Sequence, residues 1–512
     1  MKRVLFLLFG VVLLGLNQAY AASKVWINDL RTTFLNNSAI IMEVNMRSFA
    51  ALDTDGDDII MKSQGEESGN FLNSIERLKV IPSYGVNTLL LMPINEVGKV
   101  KALGTAGSLY AVSDFSKLNP QLVSDKSILS ANEQAKKFID AAHENDIRII
   151  VDLPPCGAYD LYLKRPELFL KDKNGEALPA GDWTDVRMFN AGTEDAYNKE
   201  LYTVYKGFVD LMLELGVDGI RASEPELKPA SFWKDLISYS RKMDPQFLWV
   251  AQVEDNQKVI KNSPVNTSKD ALLSAGFDGY YGFFEEFKNF DNAAEFTSKL
   301  SNYISSIRKG NEPKAVMGVF DSHDDESVLL STGADLCIMQ YWLSATLPVN
   351  SYILDGNQNG AKFIYSWGNK VAKNSDTDDN RYFVQRGKTD IYNYSPVPYG
   401  DNQILINEYV MSNMLKKYMV KHLNLGAFHI LKTNNPSIFA YAVSYNRNVL
   451  VVFGNINKNG YAKGEVKLKK INPDMIIMPI RITGAPIIGK NKITVDLSAN
   501  EIQLLMINDF EI

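Results

Sequence analysis

Along most of the chain, short apolar runs alternate with longer stretches in which apolar residues recur every three or four positions. The runs between residues 39 and 355 are Ala39–Val44, Asn87–Met92, Ile147–Leu153, Val217–Ala222, Phe247–Val253, Phe277–Tyr281, Ala315–Phe320 and Ser351–Leu354. Nearly continuous in apolar and β-rich residues, they suit strands buried on both faces. The intervening stretches suit helices: Asn132–Asn145 puts Ala135, Phe138, Ile139 and Ala142 on one stripe. Alternation of this kind predicts a parallel α/β fold, and eight strands predict a closed (β/α)8 TIM barrel.

Two regions depart from the alternation. Residues 154–195, rich in Pro, Gly, Asp and aromatics, form a long insertion after the third strand. Beyond about residue 425 the helical period stops, and short alternating runs follow: Ser437–Val443, Asn448–Phe453, Ala462–Leu468, Ile493–Leu497 and Ile502–Ile507. Turn residues such as Asn459-Gly460 separate them, which predicts an antiparallel β-sandwich. The expected organisation is a leader over 1–21, a barrel over 22–425 with its insertion, and a C-terminal β-sandwich domain over 426–512.

The leader reads as an export signal. Lys2 and Arg3 precede the apolar run Val4 to Leu16, and Ala19-Tyr20-Ala21 supplies a small-x-small cleavage site. That run is shorter than the roughly 20 residues a membrane span needs. The mature protein is therefore expected to begin at Ala22 and to be periplasmic or extracellular, without a transmembrane segment.

Composition adds exclusions. With 46% hydrophobic and 22% charged residues, the chain is an ordinary globular one rather than a disordered or fibrous one. Its 54 Lys+Arg stand against 60 Asp+Glu, and losing Lys2 and Arg3 leaves 52 against 60, a formal −8. An acidic excess without a basic block argues against nucleic-acid binding. Cys156 and Cys337 read as two buried thiols, and four histidines with no Cys/His spacing argue against zinc. No organic cofactor is implied.

In a barrel, reacting groups stand at the C-terminal ends of strands. There the third run ends Asp152-Leu153-Pro154-Pro155, the fourth Ile220-Arg221-Ala222-Ser223, the fifth Ala251-Gln252-Val253-Glu254, and the seventh Asp321-Ser322-His323-Asp324. Asp, Arg, His and Asp converging on one mouth point to a polar small-molecule site. In order and spacing these four segments resemble the sequence blocks of the α-amylase family of glycoside hydrolases (family 13). Tyr84 to Ile94 resembles that family's second-strand segment, and Gly107 to Phe115 its segment with a substrate-stacking tyrosine, here Tyr110. The resemblance covers about residues 35–510 and implies the same barrel, insertion and sandwich, acting on α-linked glucans.

It also exposes losses. Asp324 matches the family carboxylate that orients sugar hydroxyls, and Asp152, Arg221, His323 and Tyr110 match its substrate-binding residues. The nucleophile position, however, holds Ser223, and the acid/base position holds Gln252. Cys156-Gly157 replaces an Asn-His pair. Retaining glycoside hydrolysis needs two carboxyl groups about 5–5.5 Å apart. A serine carries no charge, and an amide donates no proton at neutral pH. Glu254, two residues beyond Gln252 on the same side of the strand, is a possible substitute. Glu224 is expected to point to the opposite side if its strand continues.

A second motif follows the first strand: Asp53, Asp55 and Asp57 alternate around Gly56, with Ile59 beyond. Such spacing suits an oxygen-only calcium loop. The resemblance implies Ca2+ here, with a backbone carbonyl at Ile59 and a further carboxylate where Met61 stands. The sequence thus predicts an exported α-amylase-family protein of impaired catalysis that binds an α-linked oligo- or polysaccharide. Its rivals are an active α-glycosidase with displaced carboxylates, and a partner-binding subunit with no sugar, like the silent amylase-like subunits of amino-acid transporters.

Overall fold

The computed structural model describes residues 25–181, 183–253, 263–307, 313–324, 327–361, 392–420, 423 and 428–512. The predicted leader and Glu254 lie outside the described residues. Eight parallel strands close a barrel: β1 Ile40–Val44, β2 Thr88–Leu91, β3 Arg148–Leu153, β4 Gly219–Ser223, β5 Leu248–Gln252, β6 Gly279–Phe283, β7 Ala315–Val319 and β8 Asn350–Leu354. Each pairs with its sequence neighbour, and β8 closes on β1 through Ile40 opposite Ser351. All eight predicted strands are present within two residues at each end.

Strand periodicity divides the core into two layers. Ile41, Leu90, Ile150, Val250 and Met317 point into the barrel. Met42, Leu89, Leu91, Ile149 and Val151 face the surrounding helices. The helix Leu30–Leu35 seals the barrel floor with Leu30 and Phe34, both fully buried. Gly279 is required there, since a Cβ would stand 2.0 Å from the Ala315 carbonyl oxygen and 2.8 Å from Phe34.

The predicted amphipathic helix spans Ala131–Glu144, opened by a capping box between Ser130 and Glu133. Its buried residues include Ala135, Phe138, Ile139 and Ala142, the stripe read from sequence. Within the insertion, Gly157–Ala158 pairs antiparallel with Val186–Arg187. At Gly157 a Cβ would meet the Phe189 ring at 2.8 Å and the Phe169 ring at 2.9 Å, so the imidazole that the resemblance places there would require both rings to shift.

Past residue 428 the chain forms a five-stranded and a three-stranded antiparallel sheet. Their facing residues, among them Val449, Val451, Ile493 and Val495, bury a separate core. The five predicted runs are present. Phe428–Leu431, Ile477–Arg481 and Ile487–Gly489 were not predicted; each is short or half-exposed and lacks a full apolar alternation. Both cysteines are free and buried. Among the described residues no helix is long and apolar enough to cross a membrane.

Candidate functional site

The strand ends converge as the sequence predicts. Register sets Arg221 opposite Asp152 and Ser223 opposite Gln252, so all four side chains share the barrel's upper layer. Arg221 and Asp152, both fully buried, form an ion pair through Nη1 and Oδ2. Arg221 also lies 4.5 Å above the Tyr281 ring and donates to Ser223 Oγ at 3.1 Å. Ser223 in turn donates to Asp152 Oδ1 at 2.9 Å, and Tyr110 to Asp152 Oδ2 at 2.6 Å. Burial raises Asp152 above the ordinary carboxylate range, although Arg221, the Tyr110 hydrogen bond and His323 oppose the rise. The Nε and Nη2 of Arg221 are buried with no hydrogen-bond partner among the described residues.

A second chain of contacts starts from Glu43 on β1, which sequence reading missed because it sits inside an apolar run. His323 Nδ1 donates to Glu43 Oε1 at 2.9 Å, and Tyr352 donates to the other oxygen. Burial lowers the affinity of His323 for its second proton, yet Asp324 and Glu43 outweigh it and raise the group to about 9. His323 is therefore a cation at neutral pH. Its Nε2 faces the Tyr110 hydroxyl at 3.0 Å, and the two rings stack 5.5 Å apart. Asp324 lies 3.4 Å from His323 Nε2 and accepts from Gln252 Nε2 at 3.4 Å. Glu285, at the turn after β6, was also missed; burial, opposed by a Ser322 hydrogen bond and assisted by Asp324, lifts it to about 8.

Arg221 and His323 from these networks line a cavity of about 360 Å³, whose walls also include Tyr110, Trp183, Asp185, Ser223, Gln252 and Asp324. One expectation fails here. Glu224 does not point away: β4 stops at Ser223, and Glu224 turns into the left-handed region (φ 40°, ψ 54°) to line the same cavity. Pro225 is the reason, because it has no amide to continue a ladder and it opens a 3-10 turn. Burial raises Glu224, against Lys228 and with Asp324. Cys156 is another wall residue, its thiol pushed up to about 12 by burial, so it serves as packing rather than as a nucleophile.

The three loop aspartates lie together. Carboxylate oxygens of Asp53, Asp55 and Asp57 lie within 4.8 Å of one another. Asp53 accepts from the Gly56 and Asp58 amides, and Asp57 from the Ile59 amide. The Asp57 amide pulls Asp55 down, but burial and the charges of Asp57, Glu66 and Asp53 outweigh it and raise the group. Glu66 braces the loop from outside, its Oε1 accepting the Thr54 amide and its Oε2 the Met61 amide, both at 2.8 Å.

The chain is a parallel (β/α)8 barrel with a C-terminal β domain and a polar, aromatic-walled mouth. No protein-family model matches the chain. Its relatives include the α-1,4-glucan:maltose-1-phosphate maltosyltransferase of Picrophilus torridus, 23% identical over 418 residues, 78% of this chain and 60% of that one. Alpha-amylase 3 of Dictyoglomus thermophilum is 22% identical, with 89% and 90% covered. The chain spans only 36% and 30% of two further maltosyltransferases, from Myxococcus xanthus and Bifidobacterium animalis. Among solved structures, an α-amylase from Lactobacillus plantarum superimposes with a TM-score of 0.67 at 18% identity, covering 93% of this chain and 99% of that one. A maltogenic α-amylase from Thermotoga neapolitana gives 0.67 at 19%, covering 92% and 99%. The homologues and structural neighbours of this chain are thus α-amylase-family (glycoside hydrolase family 13) proteins.

Proposed function

We propose that the barrel mouth binds an α-1,4-linked glucan or related α-glucoside and does not hydrolyse it by the two-carboxylate route. One observation carries this reading: Ser223 and Gln252, in register on adjacent strands, both line the mouth cavity where the resemblance expects two carboxylates. Ser223 is held by Arg221 and Asp152, and its hydroxyl donates to Asp152, itself in an ion pair with Arg221, rather than toward a substrate. Tyr110 and Trp183 offer aromatic faces, and Asp324 and Gln252 offer hydroxyl partners. The names of the relatives supply the substrate class. Maltoheptaose is expected to bind in calorimetry, while starch, maltooligosaccharides and trehalose show no turnover. A glycan screen empty of α-glucans would overturn the reading and favour a partner-binding role.

A displaced-carboxylate hydrolase is the second reading, favoured by the turn that brings Glu224 into the cavity. Turnover that survives repurification and vanishes in Glu224→Gln or Glu254→Gln establishes it in place of the first.

The Asp53, Asp55 and Asp57 cluster fits Ca2+, because a divalent cation relieves the repulsion that raises Asp55. Glu66 stands beside it. Millimolar calcium is expected to raise the melting temperature by mass action relative to chelator, and Asp55→Asn to abolish the rise. An unchanged melting curve with no bound metal overturns the assignment. The protein acts outside the cytoplasm in this reading; N-terminal sequencing of native material should start at Ala22, and an intact Met1 on membrane-bound protein overturns export.

A further inference from the structure

We propose that Glu43 is a positioning residue for the mouth: through His323 it determines which acceptor takes the Tyr110 hydroxyl hydrogen, and so how that cavity-lining ring is held against a sugar. This rests on the glucoside-binding reading above and adds a control to the same site. Glu43 pairs in register with Leu90 and Leu354, and it shares the barrel interior with Ile41 two residues before it. It is fully buried and lies behind the cavity wall rather than on it. Burial raises its carboxyl, but His323, Arg221 and the Tyr352 hydroxyl outweigh that and hold it below the ordinary carboxylate range. An ionised carboxylate only accepts, so His323 Nδ1, 2.9 Å away, keeps its hydrogen.

What the imidazole can change is therefore at Nε2. The Tyr110 hydroxyl has one hydrogen and two partners in reach, Asp152 Oδ2 at 2.6 Å and His323 Nε2 at 3.0 Å. While Nε2 is protonated it donates to the hydroxyl oxygen, and the hydroxyl hydrogen goes to Asp152. Once Nε2 loses its proton it becomes an acceptor, and the two compete for that hydrogen. His323 is buried and pinned through Nδ1, whereas Tyr110 is half-buried at the cavity, so the competition acts on Tyr110. Around the imidazole stand Glu43 from β1, Arg221 from β4, Tyr352 from β8, Asp152 from β3 beyond Tyr110, and Asp324 at 3.4 Å. Burial opposes the second proton, Asp324 and Glu43 favour it, and Arg221 opposes it. Glu43 acts by both charge and hydrogen bond, and unlike Asp324, whose side chain is 42% exposed, it is not screened by water.

The test is Glu43→Gln in the mature full-length protein. The amide is near-isosteric: its oxygen still accepts from His323 Nδ1 and its NH2 donates to the Tyr352 oxygen, so the contacts stay while the charge goes. With only four histidines in the chain, carbon-13-labelled imidazole resonances follow each one, and His323→Asn assigns the relevant signal. In the wild type that signal should titrate at about 9. In Glu43→Gln the midpoint should fall by about one to two pH units, the effect of losing one charge-assisted hydrogen bond. A raised group keeps its contribution below its ordinary value and loses it as pH rises through the raised one. Between pH 6 and 8.5, maltoheptaose affinity by calorimetry should therefore change less than about twofold in the wild type and drop about fivefold in the variant. Should Glu43→Gln fail to fold, Tyr110→Phe carries the test: wild-type affinity falls as pH passes 9, and without a hydroxyl hydrogen to redirect that fall disappears. An unmoved His323 titration in Glu43→Gln, or a fall past pH 9 that persists in Tyr110→Phe, overturns the proposal. A shifted titration with pH-independent affinity also overturns it and leaves the glucoside reading intact. A wild type that binds no maltoheptaose at any pH overturns the glucoside reading and this inference with it.

Discussion

Replacing Asp152 with Ala should cost about 3–5 kcal/mol of folding free energy, the typical penalty for breaking a buried ion pair by removing one partner. The reason is what stays behind. Arg221 is fully buried, and its Nε and Nη2 already lack partners, so Nη1 would keep only the Ser223 hydroxyl. Tyr110 and Ser223 would lose their acceptor in the same step. The Tyr281 ring 4.5 Å away does not replace a carboxylate. By contrast, Asp152→Leu combined with Arg221→Met removes both charges and should cost much less, because an apolar pair of similar volume avoids the desolvation of two ions. Urea unfolding followed by tryptophan fluorescence reads both variants. A single substitution costing under about 1 kcal/mol would mean that solvent reaches Arg221, and that the mouth is wetter than its burial implies.

How much of this was legible from the chain follows from which interactions are local. The barrel strands were, because a strand buried on both faces must be apolar throughout, and β1 to β8 are nearly so. The upper layer was too, since Asp152, Arg221, Ser223 and Gln252 sit at fixed offsets in runs that pair in register. Glu43 was hidden by the same rule: one acid in an apolar run carries no sign that His323, 280 residues away, will pair with it. Asp185 depends on how a long insertion folds back, and no local pattern encodes that. Glu66 reaches the acidic loop from outside the alternating motif. Glu224 was misread although Pro225 stood next to it, and a proline ending a ladder was the available signal.

Restoring the two lost carboxylates should restore chemistry, but only together on natural sugars. Ser223 and Gln252 are directly opposite on adjacent strands, and neighbouring strands lie about 4.8 Å apart. Ser223→Asp with Gln252→Glu therefore places two carboxyl groups near the roughly 5–5.5 Å spacing of a retaining pair. The electrostatics support both. A carboxylate at 223 faces Arg221, whose Nη1 already reaches Ser223 at 3.1 Å and whose remaining nitrogens are unpartnered. A carboxyl at 252 stands beside Asp324, which Gln252 now contacts at 3.4 Å, and that like charge should raise it into the range of a general acid. Groups acting as a unit are non-additive, so either substitution alone should leave maltosides uncut. Ser223→Asp alone should still attack an aryl α-glucoside, whose leaving group needs little protonation, and mass spectrometry should find a glucosyl adduct on residue 223. In the double variant, maltoside turnover should appear and should fall when Asp324 is changed to Asn. Cys156 and Gly157 are where this can fail, since the side chain that the resemblance places at 157 would have to displace the Phe169 and Phe189 rings. A double variant that folds and binds maltoheptaose yet gives neither product nor adduct would show that the mouth has drifted beyond what two side chains can repair.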